Sequence, residues 1–108
     1  MKYNKPKIIA EIGCNHKGEI DIAYDLISLA KVSGADVAKF QKRNNKILLT
    51  DKQFNSQHPN QMHSYGNTYG EHREYLEFSI KQHADLMKYC KKIDIIYSTS
   101  VWDEISAT

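Results

Sequence analysis

The segment DVAKFQ, residues 36–41, sets an ammonium inside an apolar run, with Val37, Ala38 and Phe40 around Lys39. An unpaired ammonium is too costly to bury, so Lys39 must reach either water or an anion at the end of its strand. Side chains alternate along a strand, which puts Lys39 and Gln41 on one face and Ala38 and Phe40 on the other, toward helices. Two further apolar segments carry polar residues near their carboxyl ends: Glu11 in PKIIAEIG, and Ser98 and Thr99 in IIYSTS. In parallel α/β folds that end of the sheet is where ligands bind, because the βα loops and helix N-termini converge there. A carboxylate, an ammonium, an amide and a hydroxyl meeting at one rim form a binding set rather than four separate solvated groups. Two plainer arrangements compete with it: a lysine head solvated at a sheet edge, and a structural ion pair between Lys39 and Glu11.

The elements that must position this set are legible from periodicity. Residues 6–13 form strand 1, nearly continuously apolar through Ile8, Ile9, Ala10 and Ile12, as expected of a strand covered on both faces. Gly13 and Gly18 bracket the turn GCNHKG. Ile22, Ala23, Leu26, Ile27 and Ala30 then recur at helical spacing from about Glu19 to Ser33, and Gly34 supplies the stop. Strand 2, Val37 to Gln41, follows after the short connection of a right-handed βαβ unit. Residues 42–70 turn to Asn, Gln, His, Ser and Gly and read as a long loop with a weak local helix near Asp51 to Phe54. From Glu71 helical periodicity returns. SIKQ at 79–82 has the form of a capping box, so two helices meet near Ser79, the second burying Leu86, Cys90 and Ile93. IIYSTS is strand 3, and VWDEISAT begins another helix.

Composition narrows the class without naming a partner. The chain has 108 residues with 15 basic and 13 acidic side chains, a net charge of +2, and scattered lysines, which argues against nucleic acid. No apolar run is long enough for a membrane span and no secretory leader is visible, so a cytoplasmic protein is expected. Cys14 and Cys90 have neither metal spacing nor a disulfide framework, and suit a reducing compartment as free thiols. Residues 1–108 contain no domain linker and read as the N-terminal portion of a single domain. Three parallel strands would leave two bare sheet edges, so the chain reads as part of a larger sheet, either an eight-stranded barrel of about 250 residues or an open flavodoxin-like sheet.

IIAEIGCNHKG, GADVAKFQ, YGEHREYLEFS and YSTSVWD, in this order and spacing, resemble the first part of the sialic acid synthase family. These enzymes condense phosphoenolpyruvate with an N-acetylated hexosamine such as N-acetylmannosamine. The resemblance covers essentially the whole chain. It implies the first three βα units of a TIM (β/α)8 barrel, with a small antifreeze-like domain following in complete members. It also implies that Lys39 and Thr99 contact phosphoenolpyruvate, that Gln41 lies near the donor and the sugar, and that Glu11 is the proton-handling carboxylate. Asn15 and His16 match the family's Asn-His pair as substrate contacts, whereas Lys17 stands where Asn, Asp or Glu is more usual. The family's divalent metal, typically manganese, would be held by two histidines beyond Thr108, and the full-length protein would be a homodimer.

Several expectations remain open at this level. His58, His63, His72 and His83 show no paired metal spacing and read as loop or surface groups, with His63 the one to touch substrate in a closed lid. Tyr69, Tyr75 and Phe78 are expected to fix the long loop against the barrel mouth. Arg73 is expected to pair with Glu71, Glu74 or Glu77, with a substrate carboxylate as the alternative, and Trp102 to pack beneath the third βα loop, with sugar stacking as the alternative. Within the same family the alternative is a legionaminic or pseudaminic acid synthase. From other classes the alternatives are an aldolase forming a Schiff base at Lys39, and a truncated, non-catalytic assembly module.

Overall fold

The computed structural model describes residues 5–60, 62 and 64–107. Three strands, β1 (Ile9–Gly13), β2 (Val37–Lys42) and β3 (Ile96–Val101), form one sheet in the order β1-β2-β3. Both pairings are parallel: Glu11 stands beside Lys39, and Lys39 beside Ser98. Between Glu11 and Gly13 the β1 register slips, so that Gly13 pairs with Phe40. Parallel strands need a crossover, and α1 (Ile20–Val32) and α5 (Ile80–Lys92) supply the helices.

These two helices cover one face of the sheet. Ala23, Ile27 and Ala30 of α1 and Leu86 and Cys90 of α5 bury their side chains against Ala38 and Phe40 of β2, with Ile12, Phe78 and Ile95 completing the core. Burying an aliphatic or aromatic side chain contributes on the order of 1.5–3 kcal/mol, so this face carries much of the fold's stability. The Ser79 side chain accepts from the Gln82 amide and the Gln82 side chain answers on Ser79, the reciprocal cap expected from SIKQ. On the opposite face Ile9 and Ile96 remain more than half exposed.

The stretch expected to be a loop is more ordered than its composition suggests. It holds α2 (Asn45–Leu48) and α3 (Asp51–Phe54), and α4 (Tyr69–Leu76) starts within it. Polar residues make the helices themselves: Thr50 and Gln53 close a capping box on α3, and Thr68 caps α4 through the Glu71 amide. A short helix α6 (Glu104–Ala107) follows β3. Gly18, at φ +75°, takes a left-handed conformation, and a Cβ there would collide with the Tyr75 carbonyl, which brings the first βα turn onto the end of α4. No helix among the described residues is long and apolar enough to cross a membrane.

Candidate functional site

Strand alternation delivers three of the four rim residues together. Lys39 Nζ lies 3.5 Å from Glu11 Oε2, both side chains retaining substantial solvent contact at 35% and 48% exposure. A solvent-screened pair of this kind contributes little to stability, so it leaves both groups available to a ligand. Gln41 stands two residues further along the same face. Glu11 Oε1 and Gln41 Nε2 flank Gly13, 3.3 Å and 3.6 Å from where a Cβ on that glycine would sit.

Thr99 does not join them. Its register partner is Phe40, in the helix-facing row, while Ser98 and Ser100 stand beside Lys39 and Gln41. The Thr99 hydroxyl donates to the Ser100 carbonyl and also acts on Tyr97, which stacks on Phe40. The expected convergence of Thr99 with Glu11, Lys39 and Gln41 is therefore corrected: a one-residue step along β3 reverses the face, and the register selects Ser98.

The first βα turn serves as structure around the rim. Asn15 donates through Nδ2 to the Ile12 carbonyl. His16 is 2% exposed and accepts from the Gly18 amide at Nδ1, with its ring 4.0 Å from that of Phe78. Desolvation, with a smaller contribution from neighbouring His83 that disfavours a proton on both rings, pulls its pKa down to about 4, so it is a neutral packing histidine. Lys17 has φ +59°, a left-handed conformation that Asn and Asp adopt at lower cost than Lys.

His72 and His83 are buried, against the expectation of surface groups. His83 shares the inner face of α5 with Leu86 and Cys90, a spacing of three and seven residues present in the sequence. Its Nδ1 bonds the Tyr97 hydroxyl at 2.7 Å, and desolvation lowers its pKa to about 4. His72 Nδ1 accepts from the Tyr65 amide, and His58 bonds the backbone of Asn60 in the adjoining loop. His63 lies outside the described residues. Phe78 enters the core, Tyr75 covers Gly18 and stacks on Tyr65, and Tyr69 lies near His58 and His72.

A buried carboxylate beside the rim has no signal in the sequence. Glu77 accepts from the Arg43 amide and pairs with Lys42 at 3.5 Å, and desolvation raises its pKa to about 7 despite that pairing. The ion pair that Glu77 makes is thus with Lys42 rather than Arg73; Arg73 acts on Glu77 over a longer range and hydrogen-bonds the Cys14 thiol. Lys42, Arg43, Asn45, Glu77 and Ser106 line a cavity of about 450 Å³ that includes neither Lys39 nor Glu11. Trp102 is half exposed, with the Arg43 guanidinium 4.4 Å above its ring, instead of packing beneath a loop. No group of three His, Cys, Asp or Glu side chains that could hold a metal ion occurs among the described residues.

The three strands and their crossover helices form a parallel βαβαβ sheet, with Lys39 and Glu11 ion-paired on the face turned away from the helices. The family model for the NeuB family matches residues 26–108, and the chain belongs to that family. It is 42% identical over 99 residues to the N-acetylneuraminate-9-phosphate synthase of Homo sapiens, covering 92% of this chain and 27% of that protein. It is also 34% identical over 101 residues to the N,N'-diacetyllegionaminic acid synthase of Campylobacter jejuni, covering 92% of this chain and 30% of that one. The chain thus spans less than a third of the length of these relatives. Its fold matches a sialic acid synthetase structure from Leptospira borgpetersenii with a TM-score of 0.73 at 24% identity, over 96% of this chain and 32% of that chain. The spore coat polysaccharide biosynthesis protein SpsE of Bacillus subtilis matches with a TM-score of 0.64 at 29% identity, over 98% and 26%.

Proposed function

We propose that this chain supplies the phosphoenolpyruvate-facing part of a sialic acid-type synthase, within a barrel completed by strands like those of its longer relatives. The observation that carries the reading is the Lys39–Glu11 pair on the face turned away from the helices, with Gln41 beside it. In the condensation, C3 of phosphoenolpyruvate forms a bond to the acceptor's aldehyde carbon, water adds at C2, and phosphate leaves with cleavage of its bond to C2. Lys39 holds the anionic donor, Glu11 handles a proton close to the reacting carbons, and Gln41 orients the ligands. Manganese, bound by residues outside this segment, would polarise the aldehyde. The complete protein would be a cytoplasmic homodimer.

The acceptor is an N-acetylated hexosamine. Three carbons are added ahead of its C1, so its C6 becomes C9 of the product. The 9-phosphate in the names of relatives that are 40–44% identical therefore makes N-acetylmannosamine 6-phosphate the first acceptor to assay, with the free sugar and the legionaminic acid precursor beside it. The test is phosphate release from phosphoenolpyruvate by the complete protein with manganese: release that depends on an N-acetylated hexosamine is expected, and release indifferent to every such sugar would refute the reading. Lys39 as a Schiff-base nucleophile is disfavoured because its ammonium is paired with Glu11. Borohydride trapping with pyruvate should give no covalent adduct.

A further inference from the structure

Gln41 lies at the rim with its carboxamide oxygen already engaged. Arg43 Nη2 is 2.8 Å from Gln41 Oε1. An arginine has donors and no acceptor, so whichever atom of the amide faces it must be the oxygen. Cys14 Sγ approaches the same oxygen at 3.8 Å, and burial, outweighing the pull of Arg73, pushes the Cys14 thiol up, which keeps its proton on sulfur as a donor. Both lone pairs of the oxygen are thus engaged, by Arg43 and by Cys14. The Nε2 end is left on the side of Gly13 and Glu11 Oε1, where the missing side chain of Gly13 keeps space open.

Arg43 is itself fixed. Its guanidinium lies over the Trp102 ring, a contact that favours a flat cation. The residues on either side of Arg43 are tied to β3 and its following turn: the Trp102 amide donates to the Lys42 carbonyl at 3.3 Å, and the Asn44 amide donates to Asp103 Oδ2 at 2.6 Å. A surface arginine would be free to turn away from Gln41; this one is held between a ring and a carboxamide.

We infer that Arg43, braced by Trp102, is a positioning residue that fixes the Gln41 amide with its NH2 toward the rim, so that Gln41 recognises an acceptor oxygen of the ligand. This rests on the proposed function for the ligand's identity, not for the orientation of Gln41. The ligand atom is a hydroxyl, carbonyl, carboxylate or phosphate oxygen, received jointly by Lys39 and Gln41, and a donor group such as an ammonium is rejected at that point.

The experiment has an arm without ligand and an arm with it. With 15N-glutamine in the complete protein, the side-chain amide signals of Gln41, assigned by its substitution, should lie away from free-glutamine positions and collapse to them in Arg43→Met. Trp102→Ala should shift them part of the way. In kinetics, Arg43→Met should raise KM for the ligand Gln41 touches by about tenfold with kcat little changed, as expected for one misplaced hydrogen bond, and Arg43→Lys should recover part of it. Gln41→Glu, which keeps an oxygen for Arg43 but offers no N–H, should raise KM at least as much as Gln41→Ala. Gln41 amide signals unmoved in Arg43→Met, or wild-type KM in Gln41→Glu, would overturn the assignment. A wild-type protein inert toward phosphoenolpyruvate would instead refute the proposed function, and the amide signals would still decide the role of Arg43.

Discussion

Lys39 and Phe40 are neighbours in β2, yet one stands half solvated beside a carboxylate and the other is completely buried among helices. The helix-facing layer is apolar or neutralised: even its histidines, His16 and His83, are stripped of charge by desolvation. The opposite face carries the Lys39–Glu11 pair and leaves Ile9 and Ile96 in the open. Alternation with a period of two separates stability from chemistry residue by residue, so adjacent substitutions should have consequences of different kinds.

The largest effect on the packed layer is expected from Phe40→Ala, which should cost about 3–5 kcal/mol of stability through the cavity it leaves. Denaturant unfolding of the complete protein would measure it; a cost below about 1 kcal/mol, the range of a surface change, would break the distinction between the faces. Acid should reveal the neutralised histidines. Their folded pKa of about 4 lies below the ordinary 6.5, so the stability they confer is present above 6.5 and is lost as pH falls toward 4. Glu77 has the opposite sign, because a folded pKa of about 7 against 4.5 makes its contribution largest below 4.5 and lost as pH rises through 7. Between about 4.5 and 6.5 two histidines outweigh one glutamate, and His72, also held down by burial, adds to their side. Unfolding should therefore take up a net of about one proton or more near pH 5.5, and stability should fall on acidification. His16→Phe or His83→Phe should flatten that slope; a slope of the reverse sign would contradict it.

Smaller, and a sharper probe of the register, is β3. Ser98→Ala removes a hydroxyl from the Lys39 row and Thr99→Val one from the helix-facing row, so Ser98→Ala should weaken phosphoenolpyruvate binding several-fold, as one lost hydrogen bond does, and Thr99→Val should weaken it less. Titration of the two variants decides it. The reverse ranking would restore Thr99 to the rim.

Much of this architecture is legible in the amino-acid sequence. The helical spacing of Ala23, Ile27 and Ala30, the Ser79–Gln82 cap and the alternation around Lys39 are local signals, and the parallel order β1-β2-β3 follows from βαβ connectivity. The facing of Ser98 and Thr99 is not legible, because two adjacent hydroxyls give no phase and only pairing with β2 supplies one. Residues 43–68 hide α2, because a four-residue helix is too short for periodicity, whereas α3 falls where a weak local helix near Asp51 to Phe54 is expected. His83 carries a readable signal in its spacing from Leu86 and Cys90, masked by its polarity. Arg43 over Trp102 and Glu77 beside Lys42 are long-range contacts that no spacing rule reveals.

The most direct test of the open face as a phosphoenolpyruvate site is Lys39→Ala in the complete protein, assayed by hexosamine-dependent phosphate release alongside thermal unfolding. Loss of a preorganised charge contact should lower turnover by on the order of a hundredfold or more while the melting temperature barely moves, since the Lys39–Glu11 pair is too exposed to stabilise the fold. A folded variant with unchanged phosphoenolpyruvate kinetics would contradict the account and make Lys39 a solvated strand lysine.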